Sequence, residues 1–462
     1  MCAFLFALEF QFFLDVGHKL RNGHPGLLHG IPIPYGDAAI LHAVEVEGDA
    51  QGGADLILPA VALADGTGVV VIHHEMLGKV MIDGSGLLGQ LLGKGQDTSL
   101  VGGQGRMEMH DHTGVLFALS LIHISMILLD IRPVWLFPQD SGGEIGCITP
   151  QEVAQSLSRD REIRAVYITS PDYYGQIHDI GGIARACHEA GVPLLVDNAH
   201  GAHLKFLEED LHPMTLGADL CCDSLHKTLP ALTGSALLHI GSDRFTWAAA
   251  KEAMGLFGST SPSYLMMLSM DMLTGRFAEI QAGTRRAAES CAALRALAAY
   301  KGLAPMGDDP MKLTLRPKAL GCTGTEFADR LREEGIECEF ADEGHVVLMP
   351  SMQTPEEDFI RLREAILLSC RGVSRQSGEG KLPAGQTESL AGGRPQQAMS
   401  PRQAYFAPKE HIPLTQAEGR IYGDIRWPCP PAVPAIMPGE VLDKRLCKIF
   451  AASGKTQVKV VK

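Results

Sequence analysis

Positive charge is in short supply: 40 Lys and Arg face 54 Asp and Glu, giving a formal charge of −14 with histidine neutral. So acidic a chain is poorly suited to phosphate backbones or anionic lipid as its main partner, so neither nucleic acid nor a membrane is expected. Long apolar runs are missing too. Met1 to Leu14 carries Glu9 inside it and lacks a basic flank and a small-residue cleavage pattern, so it does not read as a signal peptide. Val115 to Leu129 contains His123 and falls short of the roughly 20 residues a bilayer span needs. A buried strand or helix is expected there. The 11 cysteines lie scattered from Cys2 to Cys447 without framework spacing, as thiols kept reduced in a cytosol would. Adjacent Cys221 and Cys222 suit neither a bridge nor a CxxC metal clip.

What is there is enough for a sizeable core. The 462 residues, 45% of them hydrophobic, with a mean hydropathy of +0.06, predict two or three domains and favour a small-molecule enzyme. Residues 1–118 are rich in Gly and His, poor in Lys and Arg, and keep neither helical nor strand period. The texture changes near Met126. Apolar strands then alternate with amphipathic helices: Ala165 to Ser170, a helix near Ile180 to Ala190, Pro193 to Asp197, Ala218 to Asp223 and Ala236 to Ile240. This alternation predicts an α/β unit with a mostly parallel sheet covered by helices. A helical stretch is expected from about Phe245 to Tyr300. A smaller α+β unit should follow, with strands at Met311 to Arg316 and Val346 to Met349 and helices near Glu326 to Glu334 and Pro355 to Ser369. Residues 373–400, dense in Gly, Ser, Gln and Pro, read as a linker. The tail from Pro401 to Lys462 regains structure.

The most informative stretch is Asp223-Ser224-Leu225-His226-Lys227-Thr228, where a lysine follows a strand among small and hydroxyl side chains. Upstream, Pro193 to Asp197 ends another buried strand in an acid and runs into Asn198-Ala199-His200-Gly201-Ala202-His203. Ligands of open α/β sheets sit at the carboxyl ends of strands, so both residues face one crevice. A pyridoxal 5'-phosphate site needs this pair: a lysine for the Schiff base and an acid to keep the pyridine nitrogen protonated. Ser224 and His226, flanking the lysine, are candidates for the phosphate.

Six ordered segments resemble the Orn/Lys/Arg decarboxylase family of fold-type-I pyridoxal phosphate enzymes, in its short form, over about residues 126–462. They are Ser170 to Gly175, Val196 to His203, Ser224 to Pro230, Ser259 to Tyr264, Tyr405 to Pro408, and Pro430 to Pro434 with Pro438-Gly439-Glu440. The resemblance implies an aspartate-aminotransferase-like major domain over 126–305, a small α+β domain over 306–372, the linker 373–400 and a C-terminal decarboxylase domain over 401–462. It implies that Lys227 carries the cofactor, that Asp197 pairs with its ring nitrogen, that Ala199 lies under the ring and His200 beside it, and that Ser224 and His226 hold the phosphate. Thr260 or Ser261 would reach the phosphate of the neighbouring subunit in a homodimer with shared active sites, and Glu440 would help recognise a cationic substrate. Asn198 stands where many relatives carry Glu. The expected activity is decarboxylation of a basic amino acid, arginine ahead of lysine and ornithine, on a cytoplasmic route to polyamines. Its rivals are another fold-type-I activity, aminotransferase or lyase, and a catalytically inactive homologue. Arg316 and Arg363 are the candidates for the second-carboxylate clamp a dicarboxylate transaminase would use.

The resemblance stops at the front. Residues 1–125 contain neither the family's phosphate-binding Ser/Thr loop nor its ring-stacking histidine, so the major domain reads as truncated on its N-terminal side. Of the opening His-Met-Pro-Gly-His-Lys pattern only Gly17-His18-Lys19 is echoed. Leu119 to Ser125 is what one frame of a common transposon-end adapter would encode. Residues 1–125 are therefore left without a domain, as a foreign segment joined to the rest. Blander readings suffice elsewhere. His73-His74 and His110-Asp111-His112 lack a third metal ligand at defined spacing, so no metal site is expected. Gly84 to Gly89 matches GxGxxG without its flanking βαβ unit. Met266, Met267, Met270 and Met272 read as helix core, and Glu333 and Glu334 as a solvated helix end. His203 is open between a hydrogen-bonding partner of the site and a surface histidine.

Overall fold

A computed structural model describes residues 147–255, 263–370, 395–428, 436–452 and 454–462, with the short segments 60–62, 68–72 and 117–119 and parts of 127–136. In chain order the large unit holds β1 (Ala60–Ala62), β2 (Gly68–Ile72), β3 (Phe117–Leu119), α1 (Pro150–Arg159), β4 (Val166–Thr169), α2 (Ile180–Glu189), β5 (Leu194–Asp197), β6 (Leu220–Ser224), α3 (Leu225–Thr228), β7 (Ala236–Ile240), α4 (Trp247–Gly255) and α5 (Tyr264–Thr274). The helices start where the sequence supplies caps. Thr149 and Glu152 form a reciprocal capping box ahead of Pro150, and the Asp179 side chain accepts from Gly182 N–H at the start of α2. Strands and helices fall where the apolar pattern puts them, within one or two residues.

The main sheet has the order β1-β2-β7-β6-β5-β4. Only β4–β5 and β5–β6 are parallel; β6–β7, β7–β2 and β2–β1 are antiparallel. The mostly parallel expectation is corrected here. A parallel return needs a crossover of a dozen or more residues, usually a helix, to carry the chain back along the sheet. Between β6 and β7 there is only the one-turn α3 and a short loop, so β7 comes straight back. Two of the six strands come from the segment to which the sequence assigned no domain, and β3 pairs with a strand near the C-terminus.

Every residue of β6 is buried, as expected of a strand with both faces covered. Leu220 and Cys222 join Leu195, Leu238 and Met254 on one face, while Cys221 joins Ile183, Leu194 and Val196 on the other. Adjacent strand residues point to opposite faces, so the two cysteines cannot bridge. The stretch from Phe245 to Tyr300 is interrupted rather than continuous: α5 ends at Thr274 and α6 begins at Phe277. The methionine cluster divides as well. Met270 is buried, but Met272 is exposed with Tyr264, Leu265 and Leu268 on α5.

The second unit holds α6 (Phe277–Tyr300), β8 (Ala304–Met306), β9 (Leu313–Arg316), α7 (Gly324–Glu333), β10 (Phe340–Ala341), β11 (Val346–Leu348) and α8 (Glu356–Ser369). Its antiparallel sheet, β10-β11-β9-β8, shares a core with α6 from Ala287 onward, so this unit's packing begins inside the helix, upstream of residue 306. Glu333 and Glu334 are exposed at the end of α7. The C-terminal unit holds α9 (Pro401–Phe406), β12 (Lys409–Pro413), β13 (Arg426–Pro428), α10 (Lys444–Ala452) and β14 (Gln457–Val461). There β12 pairs with β14 around Tyr422, Leu446 and Phe450. The last residues of the expected linker are bound to it, with Ala398 N–H donating to Gly439 O. No helix among the described residues is long and apolar enough to cross a membrane.

The large and small units meet at the Ser170 to Gly175 motif. The Tyr174 hydroxyl, on a residue 3% exposed, donates to Asp342 Oδ2 at 2.8 Å, and Thr314 Oγ1 donates to Tyr174 O. Tyr174→Phe would leave the Asp342 oxygen without this buried donor, and should lower stability to urea by about 1–2 kcal/mol. An unchanged unfolding midpoint would show that this contact does not hold the units together.

Candidate active site

The parallel pairing of β5 with β6 sets Asp197 opposite Cys222, so the strand ending in the acid and the strand leading into the lysine finish side by side. The β6 strand ends at Ser224, and α3 begins at once, carrying His226 and Lys227. Lys227 is half-buried, and its Nζ lies 3.1 Å from His200 Nε2. The other ring nitrogen of His200, Nδ1, lies 3.2 Å from Lys312 Nζ. Burial, then the charges of Lys312 and Lys227, hold the His200 pKa well below the usual imidazole range. The ring is therefore neutral at pH 7, with a hydrogen on one nitrogen and a lone pair on the other.

Asp197 is oriented at both oxygens. The Tyr167 hydroxyl donates to Oδ2 at 2.8 Å, and Ala199 N–H donates to Oδ1 at 3.1 Å. Each oxygen keeps a lone pair, and the residue is only half-buried, which suits a carboxylate meant to meet a ligand's N–H. His226 Nδ1 pairs with Ser235 O at 3.0 Å, and burial lowers the pKa of its ring. Ser224 is buried at the strand end. Beside this constellation lies a cleft of about 380 Å³ lined by His226, Lys227, Thr228, Ser269, Arg276 and Gln353.

Pyridoxal phosphate is the cofactor this donor set fits. An amine facing a neutral imidazole is placed to act as a nucleophile, and an acid with open lone pairs lies on the neighbouring strand. Ala199, between them in sequence, is half-buried against the core beneath the sheet. Other expected residues fall elsewhere. Thr260 and Ser261 lie outside the described residues, as do His73, His74, His110, His112 and Gly84 to Gly89. Glu440 is 3% exposed in the C-terminal unit, where its carboxylate accepts from Met437 N–H at 2.7 Å. Arg316 donates to Ala304 O at the end of β9, and Arg363 is exposed on α8. His203 is decided: it is 1% exposed and pairs with Asp309 at 2.8 Å.

Lys312, His212 and His239 stand around the site but were not singled out from the sequence. The signal for Lys312 is a lysine set directly against the apolar strand β9. The two histidines belong to a network below the site. Asp223 Oδ2 accepts from His212 Nε2 at 3.0 Å and His239 Nε2 at 2.9 Å, while Oδ1 accepts from Asn198 Nδ2 at 2.7 Å. These groups are close enough to suggest a metal site. The hydrogen bonds assign them differently. Met214 N–H donates to His212 Nδ1, which leaves the ring hydrogen on Nε2, where a metal would have to bind. Burial alone would raise the Asp223 carboxyl, but the two imidazoles and their hydrogen bonds outweigh it and hold its pKa far below the usual carboxylate range.

Comparison with known proteins gives the chain's family and fold. The family model for the Orn/Lys/Arg decarboxylase major domain matches residues 118–298, and that for the C-terminal domain matches residues 384–458. An arginine decarboxylase of Bacillus subtilis is 30% identical over 340 residues, which cover 69% of this chain and 68% of that protein. Among solved structures, lysine decarboxylases of Francisella novicida and Pseudomonas aeruginosa superpose with a TM-score of 0.60 at 16% and 19% identity. They cover 75% of this chain, which spans 65% of each of theirs. The likeness shows a shared fold.

Because the Asp223 carboxyl lies below its unfolded value of about 3.9, its ionisation stabilises the fold at neutral pH; that contribution is lost as pH falls below about 4 towards the folded-state value. Asp223→Asn would replace one carboxylate oxygen by an amide NH2, setting its hydrogens against either the Nε2 donors of His212 and His239 or the Nδ2 donor of Asn198. It should cost about 3 kcal/mol at pH 7 and flatten the fall in stability between about pH 5 and pH 2. Equal acid sensitivity of parent and variant in urea titrations would rule this role out.

Proposed function

On the premise that the chain belongs to the Orn/Lys/Arg decarboxylase family, we propose that it decarboxylates a basic amino acid with pyridoxal phosphate. Lys227 against a neutral His200, with Asp197 ending the next strand, carries this reading. Lys227 and Asp197, with Ser224 and His226 towards the phosphate, would hold the cofactor, which when bound would supply an electron sink for the pair released from the Cα–carboxylate bond. Lys227 offers the amine that a substrate amine displaces. Asp197, fixed by Tyr167 and Ala199, keeps a proton on the group it faces. Lys227 is the group placed to return a proton to Cα, and His200, 3.1 Å from its Nζ, orients it for that transfer.

Arginine as the preferred substrate is supported by the arginine decarboxylase relative; lysine and ornithine after it, and a place on the route to polyamines, extend that reading. Glu440 is the candidate for the cationic end of the substrate, and Thr260 or Ser261 for the partner's phosphate. A homodimer is supported by the apolar face of α5, where Tyr264, Leu265, Leu268 and Met272 are 66%, 71%, 54% and 55% exposed, a surface that a second copy would cover. A cytoplasmic setting is supported by the free thiols of the nine described cysteines.

Adding pyridoxal phosphate to the purified chain should give a visible absorbance band that is absent in Lys227→Ala. Carbon dioxide release should then be fastest from arginine. A band without carbon dioxide, together with amine transfer to a keto acid, would replace decarboxylation by transamination.

A further inference from the structure

A lysine reaches a protein interior only where acceptors meet its hydrogens, because the ammonium loses its hydration there. Lys312, 2% exposed, has three: Asp172 O at 3.3 Å, Tyr173 O at 3.4 Å and His200 Nδ1 at 3.2 Å. Its stem runs past Gly175, whose φ is +85° and where a Cβ would meet Lys312 Cδ at 3.1 Å. Any side chain at 175 would be strained and would press on that stem. The Tyr173 ring flanks the ammonium at 5.8 Å and meets His200 edge-on at 5.0 Å. Lys312 thus starts just ahead of β9 in the small unit and ends beside the large unit's lysine.

A neutral imidazole has one donor nitrogen and one acceptor. A Lys312 ammonium has hydrogens only to give, so Nδ1 of His200, 3.2 Å away, is its acceptor and the ring hydrogen sits on Nε2, which faces Lys227 Nζ. The opposite tautomer would set a ring N–H against the hydrogens of Lys312. We propose that Lys312 is a positioning residue that fixes His200 with its Nε2–H against the lone pair of the Lys227 amine. The proposal deepens the reading above, in which Lys227 acts as the amine nucleophile. An amine approached by a donor stays in the form that attacks a carbonyl, whereas an acceptor at Nε2 would hold the ammonium.

The test uses the full chain without added cofactor. Lys227 acetylation by acetic anhydride is timed by peptide mass spectrometry, with circular dichroism checking the fold. Lys312→Met should slow labelling at Lys227 about tenfold, and Lys312→Arg, which keeps a donor, should recover most of that loss. An unchanged rate in a folded Lys312→Met would overturn the proposal. Should that variant fail to fold, nitrogen-15 histidine spectra of the parent chain decide instead: His200 must carry its hydrogen on Nε2, and a hydrogen on Nδ1 would overturn the proposal. Neither readout involves pyridoxal phosphate. A chain that never develops the absorbance band sinks the functional reading alone, whereas a band with the wrong tautomer sinks only this role for Lys312.

Discussion

The buried carboxylate of Asp223 ties together the strands on which the site stands. One oxygen holds Asn198, the residue after Asp197 on β5, and the other holds His239 on β7 and His212 from the connection into β6. Asp223 itself is the last residue but one of β6, four residues ahead of Lys227. A carboxylate in such a place is tolerable only because hydrogen-bond donors satisfy it on both sides. With that condition met, the ends of three strands are held in fixed register, and the acid and the lysine inherit their positions from them.

The second constraint is the joint between units. The Ser170 to Gly175 segment follows β4, and its carbonyls take hydrogen bonds from the small unit: Tyr174 O from Thr314, and Gly175 O from the Asp308 and Asp309 amides. Through the same joint Lys312 enters the site, so docking of the small unit and the electrostatics around His200 are one structural event. His203 contributes from the opposite side by pairing with Asp309, two fully buried groups that anchor the loop leading into Lys312. This explains why a motif that looks like a surface loop in sequence carries so many polar contacts.

Much of this was legible in the chain. The alternation of apolar runs gave the strands β4 to β7 within one or two residues, because buried strands leave a strong local pattern. Lys227 and Asp197 could be read because each sits at the end of such a strand. The direction of β7 could not be read from a propensity pattern; it depends on the shortness of the connection through α3. Lys312 was missed because a buried charge looks like any surface charge until its acceptors, Asp172, Tyr173 and His200, are brought to it from more than a hundred residues away. Asp223 was quoted as part of the lysine motif without a role, since its partners at 198, 212 and 239 lie on separate elements. Met272 carries the opposite lesson: its apolar neighbours on α5 predict helix core, yet it is exposed with Tyr264, Leu265 and Leu268, so apolar spacing alone does not say that a face is covered within the chain.

The central claim is that one lysine, chosen by its place at the end of β6, bonds covalently to the cofactor. It is tested most directly by incubating the chain with pyridoxal phosphate, reducing it with borohydride and mapping the pyridoxyl group by peptide mass spectrometry. The account predicts the label on the peptide carrying Lys227, with the nearby Lys312 unmodified. A label on Lys312 or on surface lysines alone, or no label at all, would contradict it.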